Sequence, residues 1–124
     1  MKLRIRGNSV RFRLSQTEMI QLAERGSVQD SVDFGPGARL DYRIEVGPAE
    51  RLEVSYAAHS IRVVVPTAAA QKWAKPDEVA VRGEQPVPGD GSLSILLEKD
   101  FTCVTPREDE DDSDAFPNPA GTAG

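Results

Sequence analysis

The sequence predicts a mainly β domain with two short helices, built as a pseudo-two-fold duplication of a ββαββ unit and closed into an interleaved β-barrel. Three observations predict it. Apolar residues alternate with polar ones over many short stretches, two helix-start signals interrupt that alternation, and the chain resembles itself when shifted by 51 residues. Ser9-Val10-Arg11-Phe12 through Leu14 then falls on Ser60-Ile61-Arg62-Val63 through Val65, Leu22 on Trp73, Ala23 on Ala74 and Val28 on Val79. Leu3 and Ile5 fall on Leu52 and Val54 if the second copy carries two extra residues in its turn.

Taken in order, Leu3 and Ile5 alternate with Lys2, Arg4 and Arg6, and after the turn Gly7-Asn8 so do Val10, Phe12 and Leu14 with Arg11 and Arg13. Each run is a half-buried strand. Ser15-Gln16-Thr17-Glu18 has the form of a capping box, Met19, Leu22 and Ala23 share a helix face, and Gly26 ends the helix in the left-handed region. A strand from Val28 turns at Asp33-Phe34-Gly35-Pro36-Gly37 into Leu40, Tyr42, Ile44 and Val46. Leu52 to Tyr56 and Ile61 to Val65 form the second hairpin, around Ala57-Ala58-His59-Ser60. Pro66-Thr67 opens a second helix carrying Ala69, Ala70 and Trp73, and Pro76 stops it. Val79 and Val81 make a short strand, Glu84 to Gly91 a loop, and Leu93, Ile95, Leu97 and Phe101 close the folded part.

The domain therefore spans residues 1–106, with pseudo-repeats 1–47 and 51–101, followed by an acidic, proline-containing tail at 107–124 that the composition reads as mobile. One such unit alone hides too little apolar surface to offset the entropy of ordering it, so two must pack together. That expectation makes the chain a monomeric pseudo-dimer or a weak homodimer.

Charge divides the same way. Six acids lie between Arg107 and Asp114, and setting that segment aside leaves fourteen cations against fourteen anions. No apolar run is long enough to cross a bilayer, and the alternating N-terminus lacks the form of a targeting peptide, so a cytoplasmic location is expected.

The stretch Ile5-Arg6-Gly7-Asn8-Ser9-Val10-Arg11-Phe12-Arg13-Leu14, followed by a short helix and a β-hairpin, resembles the swapped-hairpin fold of AbrB- and MazE-type transcription factors. Those factors are dimers of one unit; this chain carries both. The resemblance implies a swapped-hairpin-like barrel and DNA contact through Arg4, Asn8, Ser9 and Arg13. The second half departs from the pattern, with Ala58-His59-Ser60 for Gly7-Asn8-Ser9, Glu53 for Arg4 and Val64 for Arg13. A two-fold DNA site needs matched halves. Over nearly its full length, Cys103 to Pro119 included, the sequence also resembles a family of uncharacterised small bacterial proteins, which implies no activity.

Lys2, Arg4, Arg6, Arg11 and Arg13 project from one face of the first hairpin. Clustered cations attract a polyanion through charge and counterion release. Arg4, Arg6, Asn8, Ser9, Arg11 and Arg13 are thus the candidate contacts for an anionic partner, nucleic acid or an acidic protein. The plain alternative is a solvated sheet face paired with Asp41, Glu45, Glu53 or the tail. The tail acids compete with a polyanion for that face or solubilise the chain, and Phe116 with Pro117 forms a docking element of preset extended backbone.

No cofactor is expected. Cys103 and His59 are the only soft metal ligands, without CxxC or HxxxH spacing, and no phosphate-binding glycine loop or nucleophile motif is present. The leading expectation is a non-enzymatic, regulator-like binding module. Its alternative is a metal- or thiol-dependent activity centred on Cys103, His59 and the tail carboxylates.

Overall fold

The computed structural model describes residues 1–89 and 91–100. Eight strands and two helices follow one another as β1 (Lys2–Arg6), β2 (Ser9–Leu14), α1 (Gln16–Arg25), β3 (Ser27–Gly35), β4 (Ala38–Gly47), β5 (Glu53–Ala57), β6 (Ser60–Pro66), α2 (Thr67–Trp73), β7 (Ala80–Pro86) and β8 (Ser92–Lys99). The order is ββαββ twice. The hairpins interleave: an N-terminal sheet runs β1-β2-β8-β7 and a middle sheet β3-β4-β6-β5, so each sheet takes one hairpin from either half. The two halves meet through parallel pairs, β2 with β8 and β4 with β6.

Register makes the pseudo-symmetry exact enough to assign twins. Leu3 faces Phe12 as Val54 faces Val63, and Arg11 faces Leu96 as Arg62 faces Arg43. The shift of 51 carries β1 and β2 onto β5 and β6 without a gap, because both first turns have two residues. This corrects the expected insertion there: Leu3 and Ile5 match Val54 and Tyr56. Ile44 faces Val28 where Leu97 faces Val81, so the shift becomes 53 beyond the second helix and the extra residues lie between α2 and β7. Val28 thus matches Val81, which packs half-buried against the core, and Val79, which the sequence placed there, is half exposed. β7 also continues through Glu84 to Pro86, residues expected in a loop; as an edge strand it tolerates Pro86, whose missing N–H faces no partner strand.

Local signals explain the helices. Ser15 accepts from the Glu18 N–H while the Glu18 side chain accepts from the Ser15 N–H, and Gly26 closes α1 at φ 83°. Pro66 precedes α2 without a side-chain cap. Leu22 and Trp73, twins on the two helices, both sink into one core made by the facing sides of the sheets, with Phe12, Leu14, Ile44, Val63, Val65 and Leu97 among its fully buried members. Trp73 satisfies its indole N–H on the Val79 carbonyl at 3.2 Å.

The sheets do not close into a barrel, which corrects the expected architecture. The edge strands that flank the two seams, β5 with β7 and β1 with β3, share no backbone ladder. Between β5 and β7, Gln85 stands in for the missing strand bonds: its Oε1 accepts from the Val54 N–H and its Nε2 donates to the Val54 carbonyl, both at 2.8 Å. Gly83 allows this approach, since a Cβ there would lie 3.1 Å from that of Leu52. Between β1 and β3 the twin of Gln85 is Val32, which has no amide to offer, and the contact there is ionic: the N-terminal ammonium pairs with Glu18 and lies 3.6 Å from Asp30.

Candidate functional site

The outward side of the N-terminal sheet follows from its register. Lys2, Arg4 and Arg6 stand beside Arg13, Arg11 and Ser9, and these beside Glu98, Leu96 and Ser94. β7 adds Arg82 and Glu84. All five cations singled out in the first hairpin therefore share one face, as their alternation predicts. With Arg82 the face carries six cations against Glu84 and Glu98, with Asp100 just past the end of β8.

Several of these charges are already engaged. Arg11 Nε and Arg13 Nη2 both donate to Glu98 Oε1 at 2.9 Å, and Lys2 Nζ pairs with Asp100 at 2.9 Å. Of the expected acceptors, Asp41, Glu45 and Glu53 lie on the middle sheet, and the tail lies outside the described residues. Glu98 takes part instead because the parallel β2–β8 pairing, which joins the two halves, sets it beside Arg13. Burial of Glu98 opposes its ionisation, yet Arg13 and Arg11 together hold its carboxyl below the usual range. Arg4, Arg6 and Arg82 are exposed, and no acid pairs with Arg6 or Arg82 among the described residues. Between β2 and β7 the face dips into a shallow depression of about 470 Å³, floored by Leu96 and flanked by Arg11, Arg82, Glu84 and Ser94.

Asn8 and Ser9 hold the hairpin tip. Asn8 Nδ2 donates to the Ser92 carbonyl at 2.7 Å, Ser9 Oγ donates to the Arg6 carbonyl at 2.8 Å, and Gly7 supplies the left-handed turn residue at φ 55°. In the twin turn Ala58 and His59 adopt φ 51° and 62° although both carry a Cβ. Backbone geometry is nonetheless shared, since Ser94 N–H donates to Asn8 O as Asp41 N–H donates to His59 O. By this register the twin of Arg4 is Ser55, and Glu53 matches Lys2, a correction to the pairing read from sequence.

The middle sheet shows what the same frame carries without the cationic set. Its outward side holds Arg39, Arg43 and Arg62 against Asp33, Asp41, Glu45 and Glu53. Glu45, twin of Glu98, takes two bonds from Arg62 and one from Arg43, at 2.7–2.9 Å. These bonds, Arg62's first, outweigh burial and pull its carboxyl down to about 2.

Arg82 and Glu98 were not singled out in the sequence. The alternation about Val81 and Leu97 shows that both point outward, but only the pairing across halves places them beside Arg11. Cys103, the tail carboxylates, Phe116 and Pro117 lie outside the described residues. His59 sits in the turn between β5 and β6, and no group of three His, Cys, Asp or Glu able to hold a metal occurs among the described residues. No described helix is long and apolar enough to cross a membrane.

Neither a curated protein nor a solved structure matches the chain, so the likeness to AbrB- and MazE-type factors gains nothing from comparison. A family model does match, over residues 1–120: the chain belongs to DUF7009, a family of unknown function.

Proposed function

We propose that this protein is a non-enzymatic binding module, a single-chain pseudo-dimer whose N-terminal sheet contacts an anionic partner, nucleic acid in the first instance, while its acidic tail modulates access. One observation carries the reading: twin faces built on the same register differ in charge, six cations to two carboxylates on one and three to four on the other. The fold demands neither composition, so the cationic set is a feature of this face alone. Arg4, Arg6, Arg11 and Arg82 line the approach, and Glu98 holds Arg11 and Arg13 in fixed positions. Among the described residues the face presents no aromatic side chain on which a base would stack, which favours contact with phosphates over reading of bases. The likeness to DNA-contacting hairpins of AbrB- and MazE-type factors points the same way for Arg4, Asn8, Ser9 and Arg13.

The test is binding of a fluorescein-labelled DNA duplex by the full chain across a salt series. Arg6→Gln with Arg82→Gln lowers the slope of log K against log salt by about two, one per phosphate contact removed. The matched change on the middle sheet, Arg39→Gln with Arg62→Gln, leaves the slope alone. Amide replacement of the six acids from Glu108 to Asp114 tightens binding. Absence of binding at low salt, or equal losses from both arginine pairs, overturns the reading.

A further inference from the structure

The end of the described chain opens onto an apolar groove that the fold itself does not require. It lies beside the exit of β8, encloses about 620 Å³, and is walled by Leu14, Met19, Ile20 and Ala23 on one side and Ala74 and Pro76 on the other. Lys99 and Asp100 form its lip. Ile20 is 50% exposed there, a large apolar side chain on an outer helix surface. Its twin on α2 is Gln71, beside a smaller hollow of about 250 Å³. The pseudo-symmetry therefore puts a polar residue at the matching position, and the apolar rim is particular to the groove into which the chain leads.

Asp100 fixes the direction of that exit. Its N–H donates to the Leu14 carbonyl at 2.8 Å and its carboxylate pairs with Lys2, so the described chain ends at the groove's lip. The residues that follow are Phe101-Thr102-Cys103-Val104-Thr105-Pro106, apolar at three of six positions and free of charge, before the acidic run begins.

We propose that this groove is the seat of the chain's own segment 101–106, with the Phe101 ring as its anchor. Chain continuity supplies the occupant at high effective concentration, and a ring with its apolar neighbours matches a cleft of this size and lining. A consequence follows for the acids. With the segment seated, Glu108 is eight residues from Asp100, a reach of up to about 28 Å, while Lys2 to Arg6 covers only about 13 Å of strand. The acidic run is thereby tethered within range of the cationic face; this consequence, unlike the seat, rests on the anion-binding reading above.

Cys103 is the only thiol and reports the seat directly. The experiment compares the rate at which dithionitrobenzoate modifies the full chain, Phe101→Ala and Ile20→Gln, the last copying the twin helix. Ile20 is exposed and Phe101 lies outside the described core, and circular dichroism melts confirm that each variant remains folded. Native protein reacts more slowly than urea-unfolded protein, and each variant raises the native rate by about tenfold or more, the loss expected when a buried ring or its apolar wall is removed. A wild-type rate equal to the unfolded rate, or rates unchanged by both variants, overturns the seat. Protection that fades on dilution assigns the groove to a second copy of the chain and likewise overturns it. The same variants are titrated with the labelled duplex: a seated tether predicts several-fold tighter binding once it is released. Duplex binding that is absent from every protein refutes the anion-binding reading while leaving the thiol rates to judge the seat.

Discussion

The N-terminal and middle sheets are built alike and finished differently. Both place an antiparallel hairpin from each half around a parallel central pair, and both set an acid at the same register, Glu98 in one and Glu45 in the other. Their inward residues are interchangeable in kind. Their outward residues are not: alternating Lys and Arg dominate the first sheet, whereas Asp and Glu offset the arginines of the second. The difference teaches that the fold constrains the inward half of each strand and leaves the outward half available for function.

The largest effects are expected where the sheets are equal. Ile44 and Leu97 are twins, each fully buried at the same register against Val28 and Val81. Ile44→Ala and Leu97→Ala should each cost about 2–5 kcal/mol, and by similar amounts, because each removes the same volume from the same core. Urea denaturation measures both. A large loss at one and little at the other would break the equivalence of the halves.

The same contrast explains what was legible in the sequence. Period-two alternation and two helix-start signals located seven of the eight strands to within a residue or two, and both helices, because each is a local consequence of burying one face. The ββαββ order and the shared face of Lys2, Arg4, Arg6, Arg11 and Arg13 follow from that alternation alone. What depends on pairing across halves was hidden. Nothing local marks Glu98 as the acceptor for Arg11 and Arg13, or sets Arg82 beside them, since about 70–90 residues separate these partners and no periodicity encodes which strands adjoin. The twin positions of Val28 and Leu3 were misplaced because alternation fixes a face and not a register: a shift of two residues preserves every apolar match.

The seams extend the comparison to a smaller scale. Gln85 supplies two hydrogen bonds to the Val54 main chain, and the equivalent Val32 supplies none. Gln85→Leu should cost about 1–3 kcal/mol, since it leaves the Val54 N–H and carbonyl partly buried without partners. The reciprocal Val32→Gln, at the twin position, should stabilise by about 1 kcal/mol at most. Thermal melts of both variants, with hydrogen exchange at Val54, check the pair. If Gln85→Leu is neutral, the seam is held by Leu52 packing against Gly83 instead.

The smallest effect is a difference in acid sensitivity between the twin carboxylates. Arg62 grips Glu45 through both carboxylate oxygens and holds its carboxyl at about 2, against an ordinary value of 4.5. A carboxyl depressed in the folded state stabilises it fully above pH 4.5 and loses that contribution as pH falls through about 2. For Glu98 the largest single influence is burial, which works against the arginines, so its depression is smaller though in the same direction. Glu45→Gln should therefore flatten the acid limb of the stability curve between pH 4.5 and 2 more than Glu98→Gln does. Urea midpoints followed through that window decide it. Equal flattening by the two variants would show that the twin acids do the same electrostatic work despite their different neighbours, and that the contrast between the faces is confined to the cations of the N-terminal sheet.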